Sequence, residues 1–165
     1  MRALLLLGLL ASTAEAKPCV EEATVNGLWI CGEPTEAPSH GGEDAIRNAR
    51  YQLENRGAKP VVVELRSLEI LDPKDASTPL AIDYANFRPQ PARATRATIA
   101  PGAKLELVIF GKGSTKSLAY HVVYRHRVRF RVDGVEKAIR ASALYFRHPR
   151  QNALGSAGKR STSQM

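Results

Sequence analysis

Residues 118–132, LAYHVVYRHRVRFRV, the dipeptide Asp133-Gly134, and residues 135–146, VEKAIRASALYF, decide the fold. Two long runs of alternating character meet at Asp-Gly. That dipeptide signals a type I′ hairpin, because both central residues must adopt positive φ. A two-residue turn there places Val122 opposite Tyr145, Tyr124 opposite Ala143, His126 opposite Ala141 and Val128 opposite Ile139. Large side chains face small ones, the complement a packed layer needs, so the even-numbered face of the first strand is the core face. His126 lies in that apolar row and reads as a buried, hydrogen-bonded core residue.

The odd-numbered face differs in kind. His121, Val123, Arg125, Arg127, Arg129 and Arg131 point the same way, since side chains alternate along a strand. In the same register Arg140 faces Arg127 and Glu136 faces Arg131. Like charges directly opposite repel, so the Arg127/Arg140 pair is expected to be uncompensated. Two readings of this stripe stay open. It is either a solvated face that deters edge-to-edge pairing, or an anion-binding platform of Arg125, Arg127, Arg129, Arg131 and Arg140. Guanidinium forks match carboxylate and phosphate groups. Val123, Leu144 and Phe146 form an apolar patch at the far end of the hairpin.

Upstream, Val61–Leu71 is a strand pattern ended by Asp72-Pro73, and Lys104–Phe110 is a shorter one between Pro101-Gly102 and residues 111–114. Between them lies a mixed, proline-interrupted region with a candidate strand at Leu80–Phe87. Residues 43–56 read as a helix. Glu43 and Asp44 suit its first turn, Arg56 its last, and Gly57 its stop. Ala45, Ile46, Ala49 and Leu53 form its narrow apolar stripe. With six or seven strands and one short helix, the expected fold is mainly β. It is an antiparallel, immunoglobulin-like β-sandwich with the helix packed on it, the alternative being an α+β two-layer arrangement.

Cys19 and Cys31 are the only cysteines. The hairpin signal Asn26-Gly27 lies between them, but a two-residue turn there sets Glu22, not Cys19, opposite Cys31. A Cys19–Cys31 disulfide therefore predicts a longer loop centred on Val25, or a bulge.

The first residues place the chain outside the cytoplasm. Arg2, the leucine-rich run to Ala11 and Ala14-Glu15-Ala16 read as a signal peptide cleaved after Ala16. The apolar run falls short of the roughly 20 residues that span a bilayer, so no transmembrane anchor is expected. Lys17-Pro18 ahead of Cys19 disagrees with lipid modification. Residues 17–147 form one domain and 148–165 a flexible basic tail. The chain is secreted or periplasmic, where a disulfide persists.

A formal charge of +8 favours anionic partners. With no aromatic residue inside the arginine stripe, nucleic acid is disfavoured. An acidic envelope glycan, a lipid headgroup or a protein partner fits better. Nothing in the spacing points to catalysis. No Gly-x-Ser-x-Gly elbow occurs, and Gly111-Lys112-Gly113-Ser114 lacks the glycine and Ser/Thr positions of a phosphate loop. Glu64, Glu69 and Asp83 show no pairing. His40, His121, His126 and His148 have no ligand spacing, so neither metal nor cofactor is expected. The reading is a non-enzymatic envelope or extracellular binding module. A secreted hydrolase whose residues converge only in the fold, and a subunit of a larger envelope assembly, are the alternatives.

Overall fold

The computed structural model describes residues 18–35, 47–89, 92–113 and 122–145. The signal segment, the tail, residues 43–46, and His40, His121 and His148 lie outside them, as do the side chains of Val123, Leu144 and Phe146. Eleven strands form among the described residues. They are β1 (Glu21–Val25), β2 (Leu28–Gly32), β3 (Pro34–Thr35), β4 (Asn48–Asn55), β5 (Val61–Leu71) and β6 (Ser77–Arg88). β7 (Ala92–Arg93), β8 (Arg96–Ile99), β9 (Lys104–Lys112), β10 (Val122–Val132) and β11 (Val135–Tyr145) complete the set. The chain is mainly β, and every pairing is antiparallel except a short parallel bridge between β11 and β3.

The path β1-β2-β4-β9-β6-β5-β10-β11-β3 is continuous, yet it folds over into two layers. The switch is made by β6. Its Ser77–Leu80 segment pairs with β5, and its Ala81–Arg88 segment pairs with β9, with a register shift between Ile82 and Tyr84 inside that ladder. The partner changes between Leu80 and Ala81, and the residue skipped just beyond that point adds to the bend and twist of the strand.

The β10–β11 hairpin has the register its sequence dictates, from Val122↔Tyr145 to Val132↔Val135. Asp133 and Gly134 take positive φ. Tyr124, His126, Val128, Phe130 and Val132 are buried. Phe130 meets Tyr51 of the opposite sheet edge-to-face, with ring centroids 5.1 Å apart. The Tyr51 hydroxyl donates to the Ile139 carbonyl at 3.1 Å. Burial, and secondarily the charge of Glu21, push that hydroxyl well above its ordinary pKa, so it remains a donor at physiological pH.

Two expectations are overturned. Residues 48–55 are the strand β4 rather than part of a helix. Its buried positions Ala49, Tyr51, Leu53 and Asn55 alternate with Arg50, Gln52 and Glu54, and it is hydrogen-bonded on both sides, to β2 and β9. Ala49 and Leu53 fit either period. Tyr51, left off the helical stripe, breaks the tie, because two-sided pairing and full burial of an aromatic outweigh weak helix propensity. The glycine expected to stop a helix instead donates its N–H to Asn55 Oδ1 at 2.9 Å, an Asx turn.

The cysteines also meet differently. The two-residue turn at Asn26-Gly27 does form, with Glu22 opposite Cys31 and positive φ at both turn residues. The disulfide nonetheless joins Cys19 to Cys31, with Cα atoms 5.4 Å apart. Cys19 lies ahead of β1, and a bend at Val20 brings it back beside Cys31. No longer loop is needed. Removing the bridge with the pair Cys19→Ser and Cys31→Ser is expected to cost about 2–3 kcal/mol, mostly through a less restricted unfolded chain. Urea unfolding of both proteins, with and without reductant, checks it. A midpoint shift under reductant that the double variant lacks is the expected result.

The layers close where β11 meets β1 and β2. Glu21 accepts the Arg140 backbone N–H at 2.7 Å, satisfying an edge donor that no strand pairs. Asn26 Nδ2 donates to the Val132 carbonyl at 2.9 Å. Gly32 packs directly on the backbone of Arg140 and Ala141.

Candidate functional site

The outer face of β5, β10 and β11 carries the arginine stripe. Arg125, Arg127, Arg129 and Arg131 all lie on β10, opposite the buried row, because residues two apart share a face. Arg140 stands beside Arg127 on β11, as the hairpin register requires. What the sequence did not disclose is the strand on the other side. In β5, Glu69 lies opposite Arg127 and Glu64 opposite Arg131.

The Arg127/Arg140 pair is therefore compensated, contrary to expectation. Arg127 donates through Nε to Glu69 at 3.1 Å and also through Nη2. Arg140 Nε donates to Glu21 at 3.1 Å. Glu69 also stands 3.8 Å from Arg129 Nε. Glu136 pairs with Arg131 at 2.8 Å and with Arg66 at 4.0 Å, and Glu64 with Arg66 at 3.7 Å and Arg96 at 3.5 Å. Arg125, opposite Leu71, is exposed and has no ion pair among the described residues.

The balance is what matters chemically. Among the described residues six guanidiniums, of Arg66, Arg96, Arg127, Arg129, Arg131 and Arg140, share the carboxylates of Glu21, Glu64, Glu69 and Glu136, and Arg125 stands beside them unpaired. Hydrogen bonds to carboxylates orient Arg127, Arg131 and Arg140, while an excess of positive charge remains on the face. Each guanidinium has five N–H donors, and no carboxylate here occupies more than a fraction of them. Arg125 and Arg129 are the most available members, whereas Arg127 is the most committed. Sequence reasoning singled out Arg125, Arg127, Arg129, Arg131 and Arg140 but not Arg66 or Arg96, and it missed Glu21, Glu64 and Glu69 as their partners. In the sequence Glu64 and Glu69 showed no pairing; only the strand order reveals which cations they meet.

The opposite outer face, of β2, β4 and β9, carries a second constellation that the sequence did not single out. Trp29, Glu54 and Lys104 form one cross-strand row, and Cys31, Gln52 and Glu106 the next. All of these but Cys31 line an open groove of about 420 Å³ together with Arg56, over a floor at Leu53 and Leu105. The Arg56 guanidinium lies 4.4 Å from the Trp29 ring centroid. It also pairs with Glu54 at 2.8 Å, and Lys104 stands 3.5 Å from the same carboxylate. The Arg56 hydrogen bond, with the charges of Arg56 and Lys104, holds the Glu54 carboxyl below its usual range. Trp29 Nε1 donates to Glu22 at 3.0 Å. Among the described residues no three His, Cys, Asp or Glu side chains converge as metal ligands would. No described helix is long and apolar enough to cross a membrane.

No family model matches the chain, and no curated protein matches it. Solved structures do. One is a chain of the CsuC–CsuE chaperone–tip adhesion subunit pre-assembly complex from archaic chaperone-usher Csu pili of Acinetobacter baumannii. It is 15% identical, with 72% of this chain and 56% of that chain covered and a TM-score of 0.44. Another is the PapD-like domain 7 of human CEP192, 12% identical, with 90% and 100% covered and a TM-score of 0.40. A third is the E. coli chaperone DraB, 11% identical, with 72% and 54% covered and a TM-score of 0.41. The chain spans about half the length of the two bacterial chains it matches. Likeness at this level describes a manner of laying out strands and says nothing of partner or activity.

Proposed function

We propose that this chain is an exported, non-enzymatic binding module, an immunoglobulin-like sandwich that engages an anionic partner through the outer face of β5, β10 and β11. The observation that carries the reading is the excess of guanidiniums over carboxylates on a rigid sheet. A pre-organised array loses little side-chain entropy on binding, and salt bridges within it orient donors rather than consume them. A solvated face would need no such array: isolated surface charges deter aggregation without being ordered by shared carboxylates. The anions that match are carboxylate, phosphate or sulfate groups repeated along a polymer, a lipid surface or an acidic protein.

The test is binding of the mature chain, residues 17–165, to an acidic polysaccharide, vesicles with anionic headgroups and an acidic protein. Each is measured at low and high salt. Arg125→Ser with Arg129→Ser removes the two most available guanidiniums while leaving the Arg127–Glu69 and Arg140–Glu21 pairs intact. The expected result is binding that weakens with salt and falls at least about tenfold in the variant, in line with the few residues that dominate most interfaces. Equal binding by both proteins would make the stripe solvated surface. Whichever of the three probes responds identifies the class of partner.

A further inference from the structure

We propose that the groove between β2, β4 and β9 is a second binding site, which takes a neutral, hydroxyl-rich sugar ring of a glycan against Trp29. It lies on the outer face of the sheet opposite the arginine array, so the two sites are separate.

The chemistry of the lining selects the ligand. An indole on a sheet surface offers a flat apolar face with one polar edge, and that edge is already used, since Nε1 donates to Glu22. The face, over which the Arg56 guanidinium now lies, is the part a ligand would meet, and the C–H face of a pyranose is flat on the same scale. Around it stand donors and acceptors in alternation: Gln52, Glu54 and Arg56, then Lys104 and Glu106. A sugar hydroxyl both donates and accepts, so it can satisfy either kind. An anion cannot, because Glu54 and Glu106 lie in the walls. A purely apolar ligand would strand those same charges without water.

Arg56 now covers the indole, at 4.4 Å. It is also tethered to Glu54 through Nε at 2.9 Å and Nη2 at 2.8 Å. Binding requires a ring to displace the guanidinium from Trp29, and Glu54, beside the ring, remains available to Arg56 after the displacement. A groove of about 420 Å³ lies within the usual range for small-ligand sites.

Trp29 is the only tryptophan of the chain, so its fluorescence reports on this groove alone. The mature chain is titrated to about 10 mM, a range that captures weak affinities, with cellotetraose, chitotetraose, maltotetraose and mannotetraose. The expected result is a saturable fluorescence change with at least one of them, insensitive to salt. Calorimetry should then show at least about tenfold weaker binding in Trp29→Ala and a smaller loss in Gln52→Ala. Arg125→Ser with Arg129→Ser should bind the sugar unchanged, which separates this site from the arginine face. No saturable signal or heat with any of the four sugars overturns the proposal. So does Trp29→Ala binding as tightly as the parent.

Discussion

Replacing Gly32 by alanine is expected to destabilise the domain by about 3 kcal/mol or more, at the upper end of what inserting one carbon into a packed interior costs. Gly32 ends β2, paired with Glu21 on one side and Tyr51 on the other. A Cβ there would stand 1.9 Å from the Arg140 carbonyl oxygen, 2.7 Å from its carbon and 3.1 Å from the Ala141 nitrogen. All three are backbone atoms of β11, which is locked to β10 along its whole length. Nothing at the contact can rotate away, so the closing seam must open. Gly111 makes the contrast. A Cβ there meets Leu80 Cδ1 at 2.7 Å and Leu68 Cδ2 at 2.8 Å, the ends of side chains that can shift. Gly102 serves as the control, because it has φ +71° and nothing within 4 Å. Its alanine variant carries only backbone strain, about 1 kcal/mol. Urea unfolding of Gly32→Ala and Gly102→Ala against the parent decides it. If Gly32→Ala costs no more than Gly102→Ala, β2 and β11 do not approach as described. The seam also bears on function, since the same approach holds Glu21 under Arg140. A Gly32→Ala protein that still folds should therefore bind anions less well at the Arg140 end of the array.

The hairpin was legible in the sequence because its information is local. Asp133-Gly134 fixes the turn, the turn fixes the register, and the register sorts arginines from core residues without reference to any other strand. The arginine face and its Arg127/Arg140 juxtaposition follow from that alone. Their neutralisation does not. Glu69 sits 58 residues from Arg127 and Glu21 sits 119 from Arg140, and nothing local says that β5 flanks β10 or that β1 closes on β11. The misreading of residues 48–55 has the same root. Ala49 and Leu53 satisfy both periods. Only two-sided pairing by β2 and β9 makes the strand assignment compulsory. The Trp29 groove was hidden for a third reason. It needs the row Trp29–Glu54–Lys104 and the pair Gln52–Glu106 beside it, drawn from strands that are distant in sequence, and no one of those strands carries a recognisable motif.

Asn55 is where that misread segment tests the fold most severely. It has no exposed surface, and every polar atom it owns is engaged. Its N–H donates to Ala103 at 3.0 Å and its carbonyl accepts from Gly102 at 2.7 Å. Nδ2 donates to the Lys59 and Ile99 carbonyls at 2.8 and 2.9 Å, while Oδ1 accepts from Gly57. One side chain thus ties the end of β4 to the loop before β5 and to the end of β8. Asn55→Ala takes the Nδ2 donor from the buried contact with the Ile99 carbonyl and from the part-buried contact with the Lys59 carbonyl, and is expected to cost about 2–4 kcal/mol at all pH values. Asn55→Asp should cost more at neutral pH, about 3–5 kcal/mol. Its second oxygen, now negative, replaces the Nδ2 donors and faces those carbonyls in a buried site. Protonation relieves part of this, because the neutral acid supplies one O–H donor. Burial and the two carbonyl dipoles therefore raise the folded-state pKa of the new carboxyl above its unfolded value of about 3.9. Between those two values the folded form holds a proton that the unfolded form has released, so stability falls as pH rises through the window and recovers as pH falls. Glu54, whose carboxyl is held low, works the other way but is common to parent and variants, so it drops out of the difference. Unfolding free energies of Asn55→Asp and Asn55→Ala, each taken against the parent from about pH 4 to 8, should separate the two. The aspartate deficit shrinks toward acid while the alanine deficit stays flat. A flat aspartate curve would mean that the carboxyl reaches water, and that the clamp on β4 lies elsewhere than at Asn55.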